Sequence, residues 1–125
     1  MSLDITLYGE EVTEICTCDK CDHKHEHTYN LEVYSDNITH NLGEMASKAG
    51  IYSLLWKPEE LNITKANDII VPLRIGLDKL LDDPVYFKYF NPANGWGRYE
   101  TLVLFVKNYL KACIEHPEST ISICR

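Results

Sequence analysis

Basic residues are in short supply in this chain. Twelve Lys and Arg stand against nineteen Asp and Glu, leaving a formal net charge of −7. A polymer that binds nucleic acid without sequence preference needs basic patches that release counterions, so that class is not expected. An anionic membrane surface is not expected as a partner on the same ground. Long apolar runs are missing too. The densest, Leu102 to Val106, falls far short of the ~20 residues that span a bilayer. No basic-then-apolar segment opens the sequence, where Asp4 appears at once, so no secretory signal is expected. The expected setting is the cytoplasm. Internal repeats, linkers and low-complexity stretches are absent, as are a nucleophile elbow, a phosphate loop and a metalloprotease pattern.

What remains is one domain of 125 residues with ordinary apolar and charged fractions. Leu3, Ile5 and Leu7 alternate with polar residues as a half-buried strand does, up to Gly9. Glu10 to Cys16 makes a weaker strand, and Tyr29, Leu31 and Val33 alternate clearly again. Leu42, Met45, Ala46 and Ala49 lie on one helix face, and Gly50 and Pro58 limit how far that helix can extend. A helix capped by Thr64 carries Ala66, Ile69, Ile70, Leu73, Leu77, Leu80 and Leu81 at helical offsets. Pro72 inside it predicts a kink or two shorter helices. Asp83-Pro84 reads as an N-cap and first helical position. Leu102, Phe105, Val106, Tyr109, Leu110 and Cys113 form the apolar face of a last helix, and Ile121 and Ile123 belong to a closing strand. The expected class is α+β: a small antiparallel sheet of N-terminal strands plus the C-terminal strand, with three to four helices on one face.

Three stretches carry chemistry. In Asn37-Ile38-Thr39-His40-Asn41, polar side chains precede a helix face, where orphan backbone N–H groups need partners. The same end of a helix also suits an anion or polar ligand. His40 is read as a hydrogen-bonded structural residue, with a general acid or base as its rival role. In Asn94-Gly95-Trp96-Gly97-Arg98-Tyr99, a turn dipeptide and two glycines hold a large aromatic near a helix start. Trp96 is expected to plug the core from its loop, as most tryptophans do; the alternative is a wall for a flat ligand. Ligand-binding candidates are therefore Asn37, Thr39, His40, Asn41, Asn94, Trp96 and Tyr99.

The third stretch, residues 16–27, packs Cys16, Cys18, Cys21, His23, His25 and His27 into the end of a predicted hairpin. Cys18-x-x-Cys21 has the knuckle spacing at which two thiolates reach one zinc at about 2.3 Å. Cys16 and one of the three histidines complete a Cys₃His set, and one structural Zn²⁺ is the implied cofactor. A second C-x-x-C is lacking; the alternative is a solvated polar tip with reduced thiols.

Taken together, Asn37-x-Thr39-x-Asn41 leading to Met45, Asn94-Gly95-Trp96-Gly97-x-Tyr99-Glu100, Ala112-Cys113, Pro117 and the strand ending in Arg125 form a pattern. It resembles a family of small uncharacterised proteins encoded in phage, prophage and bacterial genomes. The resemblance runs from Ile38 to the C-terminus and implies no activity; the Cys/His hairpin is outside it. The expected function is a non-catalytic binding module for a small polar ligand or a host protein. Rivals are a small enzyme built on His40 and a purely structural zinc-binding domain. Eight tyrosines and two tryptophans also suggest an exposed aromatic patch and a homodimer.

Overall fold

The computed structural model describes the backbone of residues 2–17 and 24–125, and the side chains of residues 2–11 and 30–125. Strand β1 (Ser2–Thr17) pairs antiparallel with β2 (Lys24–Thr39) on one side and with β3 (Thr120–Cys124) on the other, giving the order β2-β1-β3. Leu3, Ile5 and Leu7 stand opposite Ile38, Asp36 and Tyr34 on β2, and the last two opposite Ile123 and Ile121 on β3. Residues facing one another across a ladder share a sheet face. That face is covered by helices, and Leu3, Ile5, Leu7 and Ile38 are buried in it. The other face carries Asp4, Thr6 and Tyr8 beside Ser35, Asn37, Thr39 and the alternate residues of β3, and it is left to solvent. An antiparallel sheet tolerates this division because its connections need not cross both faces.

The helices are α1 (Gly43–Lys48), α2 (Tyr52–Trp56), α3 (Ala66–Asp82), α4 (Pro84–Lys88) and α5 (Tyr99–Glu115). The α+β class with helices on one sheet face is as the sequence indicates. The number of helices differs, because Gly50 and Pro58 cut the region after Leu42 into short pieces. The strands also run longer than expected. β1 passes through Gly9 without ending, and the ladder slips register between Leu7 and Glu11. A Cβ on Gly9 would lie 2.9 Å from Val33 Cγ1, so this glycine permits a close strand approach rather than a stop.

Two further expectations are corrected. Helix α3 is one helix through Pro72, which excludes the pair of shorter helices among the two alternatives. Its interior is fixed from both ends by tertiary contacts, with Ile69, Leu73 and Leu80 fully buried, which outweighs the one backbone bond that proline removes. Its N-cap is Lys65, one residue beyond Thr64. The carboxylate of Asp68 reaches back to accept from the Thr64 and Lys65 N–H groups at 3.3 and 3.2 Å. The next two N–H groups, of Ala66 and Asn67, donate to Ser119 and Pro117 carbonyls at 2.9 Å. Helix α3 is thereby tied to the segment between α5 and β3. Asp83 does cap α4, accepting from Tyr86 N–H at 3.1 Å, with Pro84 as the first helical residue.

Helix α5 lies across the covered sheet face. Tyr109 is fully buried and its ring stacks on Tyr34, with centroids 6.2 Å apart. Burial pushes the Cys113 thiol up to about 12, so this cysteine is a packing residue and not a nucleophile. Among the described residues, the buried Tyr109 hydroxyl has no hydrogen-bond partner. An unpaired buried hydroxyl costs free energy that its removal returns. Tyr109→Phe should therefore raise stability by about 1 kcal/mol, measured as a higher urea midpoint at unchanged slope. A destabilised variant would mean that the hydroxyl is satisfied by water.

Among the described residues, no helix is long and apolar enough to cross a membrane.

Candidate binding groove

Alternation along β2 sends Ile38 into the core and Asn37 and Thr39 to the open face. The strand ends in a 3₁₀ turn, His40–Leu42, which Thr39 caps by accepting from Asn41 N–H at 3.3 Å. The polar cluster thus starts a helical segment as its composition indicates. The turn leads only into the six residues of α1, too few peptide units to align into a strong dipole.

The second motif folds back onto this spot. Gly95 and Gly97 adopt φ of 77° and 100°, on either side of Trp96. Asn94 Oδ1 accepts from Trp96 N–H at 2.9 Å, and Asn91 Oδ1 accepts from Tyr99 N–H at 2.8 Å at the start of α5. A Cβ on Gly97 would lie 2.8 Å from Thr39 Cγ2 and 3.0 Å from Leu42 Cγ. Gly97 is therefore pressed flat against the first motif, and the loop turns Trp96 outward. Trp96 is 71 % exposed. This overturns the expectation that it plugs the core: the two left-handed glycines reverse the chain so that the indole points away from the protein. It closes one side of a half-open groove of about 440 Å³, whose other walls are Ser2, Asn37, Thr39 and Asn41.

Four of the seven ligand-binding candidates thus meet: Asn37, Thr39, Asn41 and Trp96. The other three do not line this groove. Asn94 is spent on its turn. Tyr99 is buried and donates to the Leu80 carbonyl at 2.6 Å, anchoring α5 to α3. His40 accepts at Nδ1 from the indole N–H of Trp56 at 2.8 Å. The bond requires a bare Nδ1, hence the tautomer with its proton on Nε2. Trp56 is buried, stacks on Tyr52 at 5.1 Å, and offers its carbonyl to Arg125 at 2.5 Å. Arg125 also holds Glu59 at 2.6 Å, and this bond lowers the Glu59 carboxyl below its usual range. His40, Trp56 and Arg125 together join the two ends of the sheet to α2. Ser2 is the groove residue that sequence reasoning missed. It faces Thr39 across the ladder, and only the register of the hairpin reveals that.

The groove walls are neutral. Amides and hydroxyls supply donors and acceptors in a small space, and an exposed indole supplies a stacking surface. None of these groups is a nucleophile with a base beside it. No protein-family model, curated protein or solved structure matches the chain.

Of the metal candidates, Cys18, Cys21 and His23 lie outside the described residues, and the side chains of Cys16, His25 and His27 do as well. The backbone register of the last three is defined. Cys16 stands opposite His25, and His27 opposite Glu14. Among the described residues, no group of three or more His, Cys, Asp or Glu is placed to hold a metal ion.

Proposed function

We propose that this chain is a non-catalytic binding module, an accessory protein of phage type acting in a bacterial cytoplasm, and that its binding face is the groove walled by Ser2, Asn37, Thr39, Asn41 and Trp96. The reading rests on one observation: two motifs far apart in sequence contribute to a single groove through the contact of Gly97 with Thr39. Its occupant is polar, either a small molecule or a segment of a host protein. The competing enzyme reading asks for an acidic or nucleophilic partner at His40. His40 instead meets an indole, which favours binding over turnover.

Trp96 provides the assay, since the other tryptophan, Trp56, is 2 % exposed. Acrylamide quenching of tryptophan emission reports the exposed indole almost alone. A low-mass or macromolecular fraction of a bacterial extract should shield Trp96 in the wild-type protein and fail to do so in the Asn37→Ala/Thr39→Ala variant. If neither fraction alters quenching, the groove is not a binding site and the domain is structural.

A second reading concerns the hairpin. The ladder of β1 and β2 continues to Thr17 opposite Lys24, so the six residues 18–23 connect two paired strands, and Cys16 and His25 are ladder partners beside them in the backbone register. Thiolate and imidazole donors fit a structural zinc, with Cys18 and Cys21 as a knuckle pair and Cys16 and a histidine completing four ligands. A two-stranded ribbon alone is marginal in water, and a metal would clamp it. Protein purified without a His-tag or chelator should then carry about one Zn²⁺ per chain, and chelation should loosen the hairpin before the helical core. A ratio near zero with freely titrating thiols leaves only a polar tip.

Exposed Tyr89, Val85 and Trp96 support self-association as a further feature of the reading. Light scattering that gives a monomer at high concentration excludes it.

A further inference from the structure

Strand β2 is an edge strand: its one sheet neighbour among the described residues is β1. The direction of its free groups can be read from Asn37. Its N–H is taken by the neighbouring Asp36 Oδ1 at 2.8 Å, not by the ladder. In an antiparallel strand the N–H and C=O of one residue point the same way, and the direction alternates along the chain. Ser35, Asn37 and Thr39 therefore aim their backbone groups away from β1. A second depression, of about 340 Å³, lies along this edge between Asp36 and Asn37 on one side and Glu100, Leu104 and Asn108 of α5 on the other. It shares Asn37 with the groove already described. The two adjoin at Asn37 as a trough beside the strand edge, one part walled by α5 and the other by Trp96.

The chemistry of the trough selects the occupant. Its charged lining residues are Asp36 and Glu100, with no Lys or Arg among them. Among the described residues Glu100 pairs with Lys88 at 3.6 Å, and that pair is exposed and therefore weak. Leu104 offers an apolar surface that is 60 % exposed. An extended backbone would complete the free ladder positions and alternate its side chains between the two faces. A second copy of this chain does not suit the edge. Pairing β2 with itself would set Asp36 and Glu32 against acidic residues of the same strand, in two chains each carrying −7. Like charges across a strand pair are destabilising.

We propose that the β2 edge from Ser35 to Thr39 accepts an extended, basic peptide segment of a partner protein as an added strand, held between the sheet and α5. The proposal rests on the binding reading above and narrows its occupant to a protein segment. Backbone pairing would supply affinity, Asp36 and Glu100 would select Lys or Arg, and Leu104 and Trp96 would each take an apolar or planar side chain.

The test uses an alternating Lys-Val peptide, an alternating Glu-Val peptide, and the Lys-Val peptide N-methylated at every second residue. Each is titrated into the full chain by NMR and followed by amide hydrogen exchange. The Lys-Val peptide should bind roughly tenfold more tightly than either control, protect the Ser35 and Thr39 amides, and shield Trp96 from acrylamide. Leu104→Lys, on an exposed helix position, should weaken it by a similar factor without loss of fold. Equal binding of the N-methylated peptide would reduce the effect to charge attraction and overturn strand addition. Equal binding of the Glu-Val peptide would overturn the charge argument. If the Lys-Val peptide fails to bind while a low-mass extract fraction still shields Trp96, the peptide inference falls and the groove reading stands. If nothing shields Trp96, both fall.

Discussion

Gly97→Ala should destabilise the protein by about 2–4 kcal/mol, the sum of a left-handed backbone forced on a Cβ and of overpacking against a buried neighbour. Both causes are visible at this position. Its φ is 100°, and the added carbon would fall 2.8 Å from Thr39 Cγ2 and within 3.1 Å of Leu42, which is fully buried. Leu42 cannot yield without moving the core beneath it. Gly95→Ala is the control. Gly95 has φ of 77° but nothing within 4 Å of a new Cβ, so it should cost only about 1–2 kcal/mol. Urea denaturation of both variants separates the terms. Equal losses would mean that contact with the first motif contributes nothing. The same experiment bears on function: a loop pushed off Thr39 no longer brings Trp96 to the groove, so Gly97→Ala should lose shielding of Trp96 even where it folds.

That contact also marks where sequence reasoning stops. The strands at Leu3, Ile5 and Leu7, the cap at Asp83, the long last helix and the closing strand were all legible. Each depends on a local period or a local hydrogen bond. Thr39 was legible as a cap for the same reason. Trp96 was not. Its environment is set by two backbone torsions and by a residue on a distant strand, and neither leaves a periodic trace. Composition favoured burial of the indole, and left-handed glycines decided otherwise. Tyr99 shows the converse. It lies within the same motif and reads as a ligand contact, yet its hydroxyl is used up on the Leu80 carbonyl. Proximity to a motif says little about which way a side chain turns.

The unbroken path of α3 has a related cause. Pro72 predicts a kink or a break because it lacks the N–H that would bond the Asp68 carbonyl. That penalty is local, whereas burial of Ile69, Leu73 and Leu80 acts along the whole helix. At ~25 cal/mol per Å² of apolar surface, a few buried aliphatic side chains exceed the cost of one lost bond. The helix therefore stays whole. Likewise Asp36 faces the helices among apolar residues, a position that alternation alone would assign to the core. It is tolerated because it accepts from Asn37 N–H at 2.8 Å and from the Tyr34 hydroxyl at 3.2 Å, the same arrangement that leaves the β2 edge acidic.

The second large effect is expected at Gly76, inside α3, where helix propensity and packing oppose each other. Alanine in place of an interior glycine ordinarily gains about 1 kcal/mol. Here the new Cβ would overlap Ile51 Cγ2 and stand 3.7 Å from the Ala49 carbonyl oxygen. Ile51 is 1 % exposed and begins the short helix α2, so its branch has no free volume to enter. Overpacking of this kind costs about 1–3 kcal/mol or more, and it should outweigh the propensity gain. Gly76→Ala is therefore expected to unfold at lower urea, against the usual rule for helix interiors. Ile51→Ala alone should cost about 2–5 kcal/mol through the cavity it leaves. In the double variant the alanine Cβ of residue 76 enters part of that cavity, so the two losses should not add. A coupling of about 1–3 kcal/mol in favour of the double variant is the expected result. Strict additivity would show that Gly76 and Ile51 are not in contact, and the close seating of α3 against the connection between α1 and α2 would have to be abandoned.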